Sequence, residues 1–144
     1  MNNQPIIVEE ILEAPVLKVW KAITEINEIK KWYFDLQEFK PEVGFIFKFF
    51  GGPSPEKQYL HVCGITDVVP GKKLTYSWCY EGYAGKSFVT FELIKHGNKT
   101  LLKLIHKGID TFPKDNPDLA IENFIEGWKQ IVNISLKEYL ELNK

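Results

Sequence analysis

A chain of 144 residues with 18 basic and 19 acidic side chains has a net charge of −1, so it carries no field suited to nucleic acid or an anionic membrane. At 44% hydrophobic and 26% charged residues it has the composition of one globular domain, and no apolar run approaches the roughly 20 residues of a membrane span. Two cysteines are too few for a disulfide framework, and Met-Asn-Asn-Gln-Pro does not open an export signal, so a cytoplasmic location with reduced thiols is expected.

Ile6 to Glu13, rich in Ile and Val, is predicted as a strand. Ala14-Pro15 then opens a helix with Val16, Val19, Trp20 and Ile23 at helical spacing, and Ile26, Ile29, Trp32 and Tyr33 suggest a second short one. Leu36 to Lys40 reads as a short strand. Phe45, Phe47 and Phe49 alternate with Lys48, which turns the odd positions inward. Gly51-Gly52-Pro53-Ser54-Pro55 reads as a loop. Tyr59 to Val69 is a long strand ending at the turn signal Pro70-Gly71. Leu74, Tyr76, Trp78 and Tyr80 give the clearest in/out alternation, followed by Val89, Phe91, Leu93 and then Leu102, Leu104, His106. Asp118 to Leu142 carries a wide apolar face at helical spacing, with Asn116 and Pro117 as the expected N-cap and N1. The class is α+β: about six to seven strands, mainly antiparallel, two short helices after the first strand, and one long C-terminal helix that must bury itself on the sheet.

The ordered set Ala14-Pro15 with Val19-Trp20, Trp32, Gly44-Phe45-x-Phe47, Gly64 with Val68-x-Pro70, Leu74-x-Tyr76-x-Trp78, Thr100-x-Leu102-x-Leu104-x-His106-x-Gly108 and Gly127-Trp128 resembles the helix-grip fold of the START-like (SRPBCC, Bet v 1-like) superfamily. More narrowly it is similar to the family related to the C-terminal domain of the activator of Hsp90 ATPase, across nearly the whole chain. The resemblance implies a curved antiparallel sheet gripping the C-terminal helix, with an apolar cavity between them. Members of the superfamily bind lipids or hormones, or act on polyketides as cyclases. The fold is implied more firmly than any one function, because such scaffolds host many.

The aromatic set Phe45, Phe47, Phe49, Tyr76, Trp78, Tyr80, Phe91, Phe124 and Trp128 is the strongest functional hint, because aromatic walls with few polar groups suit flat apolar ligands. The bland reading is a filled core. The residues expected to touch a ligand are Trp32, Phe47, Phe49, His61, Tyr76, Trp78, Phe91, His106, Phe124 and Trp128, with access near Trp32 and the Gly51 to Pro55 segment. His106 has inward parity and could bond a ligand; the alternative is a histidine satisfied by protein or water. Tyr76 and Tyr80 each need a hydroxyl partner if buried, which a ligand oxygen or a water would supply. Gly127 is expected to let the helix approach the sheet. His61 and Cys63 share one strand face, but no further ligands stand at metal spacing, so no metal, cofactor or catalytic set is expected. A two-residue turn at Pro70-Gly71 would place position 63 opposite 78 and turn Cys63 and Cys79 to opposite faces; a three-residue turn would pair them directly.

The first function expected is binding of a small apolar or aromatic ligand between sheet and helix, without catalysis, by a monomer or homodimer. The second is a co-chaperone-like module that binds a chaperone or other protein through its surface. The third is a cyclase- or hydrolase-type enzyme using His61, His106 or a tyrosine as acid or base. A cavity above about 300 Å³ favours the first, an exposed apolar patch over a filled core the second, and two titratable groups converging in the cavity the third.

Overall fold

The structure, a computed structural model, describes residues 4–143. Its strands are β1 (Ile6–Leu12), β2 (Ile46–Ser54), β3 (Lys57–Val69), β4 (Lys73–Tyr80), β5 (Ser87–His96) and β6 (Lys99–Lys107). They form one antiparallel sheet in the order β1-β6-β5-β4-β3-β2. The first strand lies beside the last, Ile6 opposite His106 and Leu12 opposite Thr100. Helices α1 (Val16–Thr24) and α2 (Ile26–Trp32) fill the connection from β1 to β2. The Trp32 indole N–H donates to the Ala22 carbonyl at 2.9 Å, which fixes α2 against α1. The alternation in β4 holds: Leu74, Tyr76, Trp78 and Tyr80 are all buried on the concave face.

Two local expectations are corrected and one left open is decided. Residues 36–40 form no strand, although Leu36 and Phe39 are buried as irregular chain. The Gly51 to Ser54 segment stays in the sheet, and the hairpin turns at Pro55-Glu56 with Ser54 opposite Lys57. Strand β2 is at the sheet edge, so the missing N–H of Pro53 need not cost a ladder bond. At Gly52 a Cβ would collide with the Lys57 carbonyl oxygen, and the register shifts there, as in a bulge. The turn after β3 has three residues, with Val69 opposite Lys73. A second register shift between Ile65 and Asp67 then sets Cys79 opposite Val62 rather than Cys63. Both cysteines are free thiols, Cys63 buried and Cys79 half-buried.

The C-terminal helix starts later than expected. The Asn116 side chain accepts from the Asp118 N–H at 3.0 Å, but it caps only the 3₁₀ turn Pro117–Leu119. Ala120 is extended, and the helix proper runs as α3 (Ile121–Trp128), a π-helical stretch (Lys129–Leu136) and α4 (Lys137–Leu142). Its buried side chains, Phe124, Trp128, Val132, Leu136 and Leu140, recur every four residues. At 3.6 residues per turn each such step turns roughly 40° around an α-helix, so the row would drift off the sheet. A π-helix closes i→i+5 bonds and takes more residues per turn, which rotates the row back. The Asn133 amide adds anchors on β1, at the Glu9 carbonyl (3.1 Å) and the Glu10 carboxylate (3.0 Å).

Trp128 joins this helix to the sheet. Its indole N–H, which can only donate, bonds Nδ1 of His106 at 2.9 Å. His106 therefore carries its proton on Nε2 and donates it to Ser87 Oγ at 2.8 Å, and Ser87 donates to the Trp78 carbonyl at 2.9 Å. Both ring nitrogens are used within a fully buried site. Trp128→Ala should cost about 3–5 kcal/mol in urea unfolding, from the emptied volume. Trp128→Phe should cost about 1–3 kcal/mol, because it keeps bulk but strands the His106 acceptor. A loss below about 1 kcal/mol for the alanine variant would contradict the anchor.

Candidate functional site

The concave face is not filled to its end. Between strands β2 to β4 and the first turns of the C-terminal helix lies a cleft of about 450 Å³. Its sheet side is His61, Trp78 and Tyr80, brought together by the inward parity of β3 and β4. Its helix side is Phe124, Trp128 and Ile131, with Gly127 between them. Phe34, just after α2, closes one end, and Gly51 to Pro53 form the wall at the sheet edge. Tyr59, Asp118 and Asn123 supply its polar rim.

Gly127 does not serve close packing, contrary to expectation. A Cβ built there meets nothing within 4 Å. A glycine inside a helix costs about 1 kcal/mol relative to alanine, so its effect here is to leave the cleft wall bare.

The cleft side chains are held in neutral forms. The His61 ring stacks on Phe49 (centroids 4.4 Å, 17°) and meets Trp78 and Tyr80 edge-on at 4.9 and 4.7 Å. Its Nδ1 stands 3.1 Å from the Tyr59 carbonyl oxygen, which can only accept, so Nδ1 carries the proton. Burial lowers its pKa to about 4, so it is uncharged at neutral pH. Tyr80 accepts the Trp78 indole N–H at 2.9 Å, and burial raises its pKa well above the usual phenol value. At the rim the Asp118 carboxylate accepts from the Tyr59 hydroxyl and pairs with Lys57, each at 2.7 Å. The Lys57 and Tyr59 hydrogen bonds lower the Asp118 pKa.

Of the residues expected to touch a ligand, His61, Trp78, Phe124 and Trp128 line this cleft. Trp32, Phe47, Tyr76 and Phe91 instead line a separate void of about 10 Å³, near the size of one water. The access route past Trp32 is thus not where the opening lies, whereas Gly51 to Pro53 do border it. Phe49 is buried behind His61. His106 lies behind Trp128, its pKa lowered by burial to about 3. The Tyr76 hydroxyl meets that of Tyr33 at 2.7 Å rather than the cleft. Tyr80, one of the aromatic set, and Gly127, singled out for helix approach, also line the cleft. Phe34, Tyr59 and Asp118 line it without having been singled out. The Tyr59–Asp118 pair joins residues 59 positions apart, and no local pattern announces it. Among the described residues no group of three or more His, Cys, Asp or Glu side chains could hold a metal, and no helix is long and apolar enough to cross a membrane.

A curved antiparallel sheet gripping a long C-terminal helix, with two short helices after the first strand, is the helix-grip architecture of the START-like superfamily. Residues 13–141 match the family described as Activator of Hsp90 ATPase homolog 1-like protein, and the chain belongs to that family. No curated protein matches the sequence. Among solved structures, the chain is 26% identical to protein MLL2253 from Mesorhizobium loti, covering 98% of this chain and 99% of that one, with a TM-score of 0.79. It is 28% identical to CalU16 from Micromonospora echinospora, over 94% of this chain and 75% of that one, with a TM-score of 0.73. DynU16, a protein of the dynemicin biosynthetic locus, shares the fold at 21% identity and a TM-score of 0.79; 99% of this chain spans 49% of that one, about half its length.

Because both buried histidines are neutral in the fold, the unfolded chain binds more protons once pH falls below about 6.5. Their contribution to stability is complete above that value and is lost as pH falls toward about 4 for His61 and about 3 for His106. Urea midpoints measured from pH 7 to 4.5 should fall, and His106→Gln, which cannot take the proton, should flatten the decline. An unchanged pH dependence in that variant would contradict a buried neutral imidazole.

Proposed function

We propose that this protein binds a small apolar, aromatic ligand in the cleft between β2–β4 and the C-terminal helix. The observation that carries the reading is the cleft itself: about 450 Å³ with aromatic walls, against about 10 Å³ for the inner void lined by Trp32, Tyr76 and Phe91. That volume falls in the usual range for small-molecule sites, roughly 300–1,000 Å³. Family membership supports the same scaffold without naming a ligand. The electrostatics favour binding over proton transfer. His61 and Tyr80 converge as an acid–base pair would, but burial drives their pKa values away from neutrality, the reverse of catalytic tuning. The ligand is therefore neutral and held by stacking on Trp78, Trp128 and Phe124.

A second reading, a module that docks a protein partner, is favoured by Ile46 and Phe50, exposed 55% and 65% on edge strand β2. One experiment separates the two. The dye ANS should bind the native protein at one site. Gly127→Leu should fill the cleft and weaken the dye roughly tenfold or more while the fold remains at least as stable, since the helix loses a glycine. Phe50→Ser should leave dye binding intact. Binding untouched by Gly127→Leu and lost in Phe50→Ser would overturn the cleft reading and favour the surface.

A further inference from the structure

Most polar groups around the cleft are already committed. The Tyr59 hydroxyl donates to Asp118 at 2.7 Å, Asp118 pairs with Lys57, and the Asn123 amide donates to the Pro117 carbonyl at 2.8 Å. His61 uses Nδ1 on the Tyr59 carbonyl. Tyr80 differs. Its oxygen accepts the Trp78 indole N–H at 2.9 Å, but its own proton finds no acceptor among the described residues. The residue is 6% exposed and lines the cleft, so this proton is a donor the cleft offers to a ligand. The Trp78 N–H orients the phenol by occupying one lone pair. A ligand group that must itself donate would compete for that oxygen; a carbonyl, which only accepts, does not.

We infer that the cleft selects planar aromatic ligands bearing a carbonyl oxygen, and that the Tyr80 hydroxyl donates to that oxygen while Trp78 and Trp128 receive the ring. This rests on the ligand-binding reading above and names its chemical class. Tyr80 remains protonated across the physiological range because burial disfavours its phenolate. The donor is therefore constant, and the selectivity it confers does not vary with pH between about 6 and 9. Tyr76, the other tyrosine of the strand, cannot play this part, because its hydroxyl is paired with that of Tyr33 outside the cleft.

The test is a matched pair of probes, 2-acetylnaphthalene and 2-isopropenylnaphthalene, which differ by a carbonyl oxygen against a methylene. Titration followed by tryptophan fluorescence should give the native protein a roughly fivefold to tenfold preference for the ketone, beyond the ratio set by their water-to-octanol partition. In Tyr80→Phe the preference should vanish through weaker ketone binding, with the hydrocarbon unchanged. The carbonyl stretch of the bound ketone should move to lower wavenumber in the native protein and return in Tyr80→Phe. Equal binding of both probes by the native protein overturns the inference and leaves the ligand-binding reading intact. So does a preference that survives Tyr80→Phe or disappears in Tyr76→Phe. Binding of neither probe overturns both. Should Tyr80→Phe fail to fold, the native preference and the infrared band decide.

Discussion

The contact between Trp128 and His106 sets where the helix lies, and the cleft follows from it. A tryptophan N–H needs an acceptor when buried, and a neutral imidazole supplies one on a strand whose other inward positions are Thr100, Leu102 and Leu104. The second imidazole nitrogen passes the bond to Ser87 and so to the Trp78 carbonyl, which links β6, β5 and β4 behind the helix. The chain works only while His106 is uncharged, because a protonated Nδ1 can no longer accept. Its position in the driest part of the fold keeps it so.

With Trp128 held there, the helix can follow the sheet only by presenting every fourth residue. The π-helical stretch Lys129–Leu136 allows this, and it seats Val132, Leu136 and Leu140 without exposure. On the N-terminal side of Trp128 the next helix residue is Gly127, with no side chain, and the facing strand carries Gly51 and Gly52. The cleft lies where the helix and the edge strand both lack side chains, roofed by the aromatic residues around them. The same glycines cost local stability, which is how a binding cavity differs from a defect in packing.

Period-two alternation located the concave residues, because in a one-sided sheet a strand's face is decided by parity alone. Leu74, Tyr76, Trp78 and Tyr80 were legible for that reason. Parity cannot say which inward residue meets a filled core and which a void, since both are apolar. Tyr76 and Tyr80 read alike in sequence; Tyr33, arriving from the end of α2, satisfies one and not the other. His106 read as either a ligand contact or a histidine satisfied by protein or water, because nothing local reveals that Trp128 and Ser87 take both its nitrogens. The edge position of β2, which lets Gly51 to Ser54 remain strand, depends on the whole strand order, as does the paired rim of Tyr59 and Asp118.

The four tryptophans give direct reporters of the central claim that the cleft is the binding site. Trp78 and Trp128 line it, Trp32 lines the separate inner void, and Trp20, a residue of α1 packed against the core, lines neither. Titration of the ¹⁵N-labelled protein with a neutral aromatic probe, followed at the indole N–H resonances, reads all four at once. Saturable shifts at Trp78 and Trp128, with Trp20 and Trp32 unmoved, are the predicted result. Shifts confined to Trp20 or Trp32, or none at any indole at saturating probe, would contradict the account.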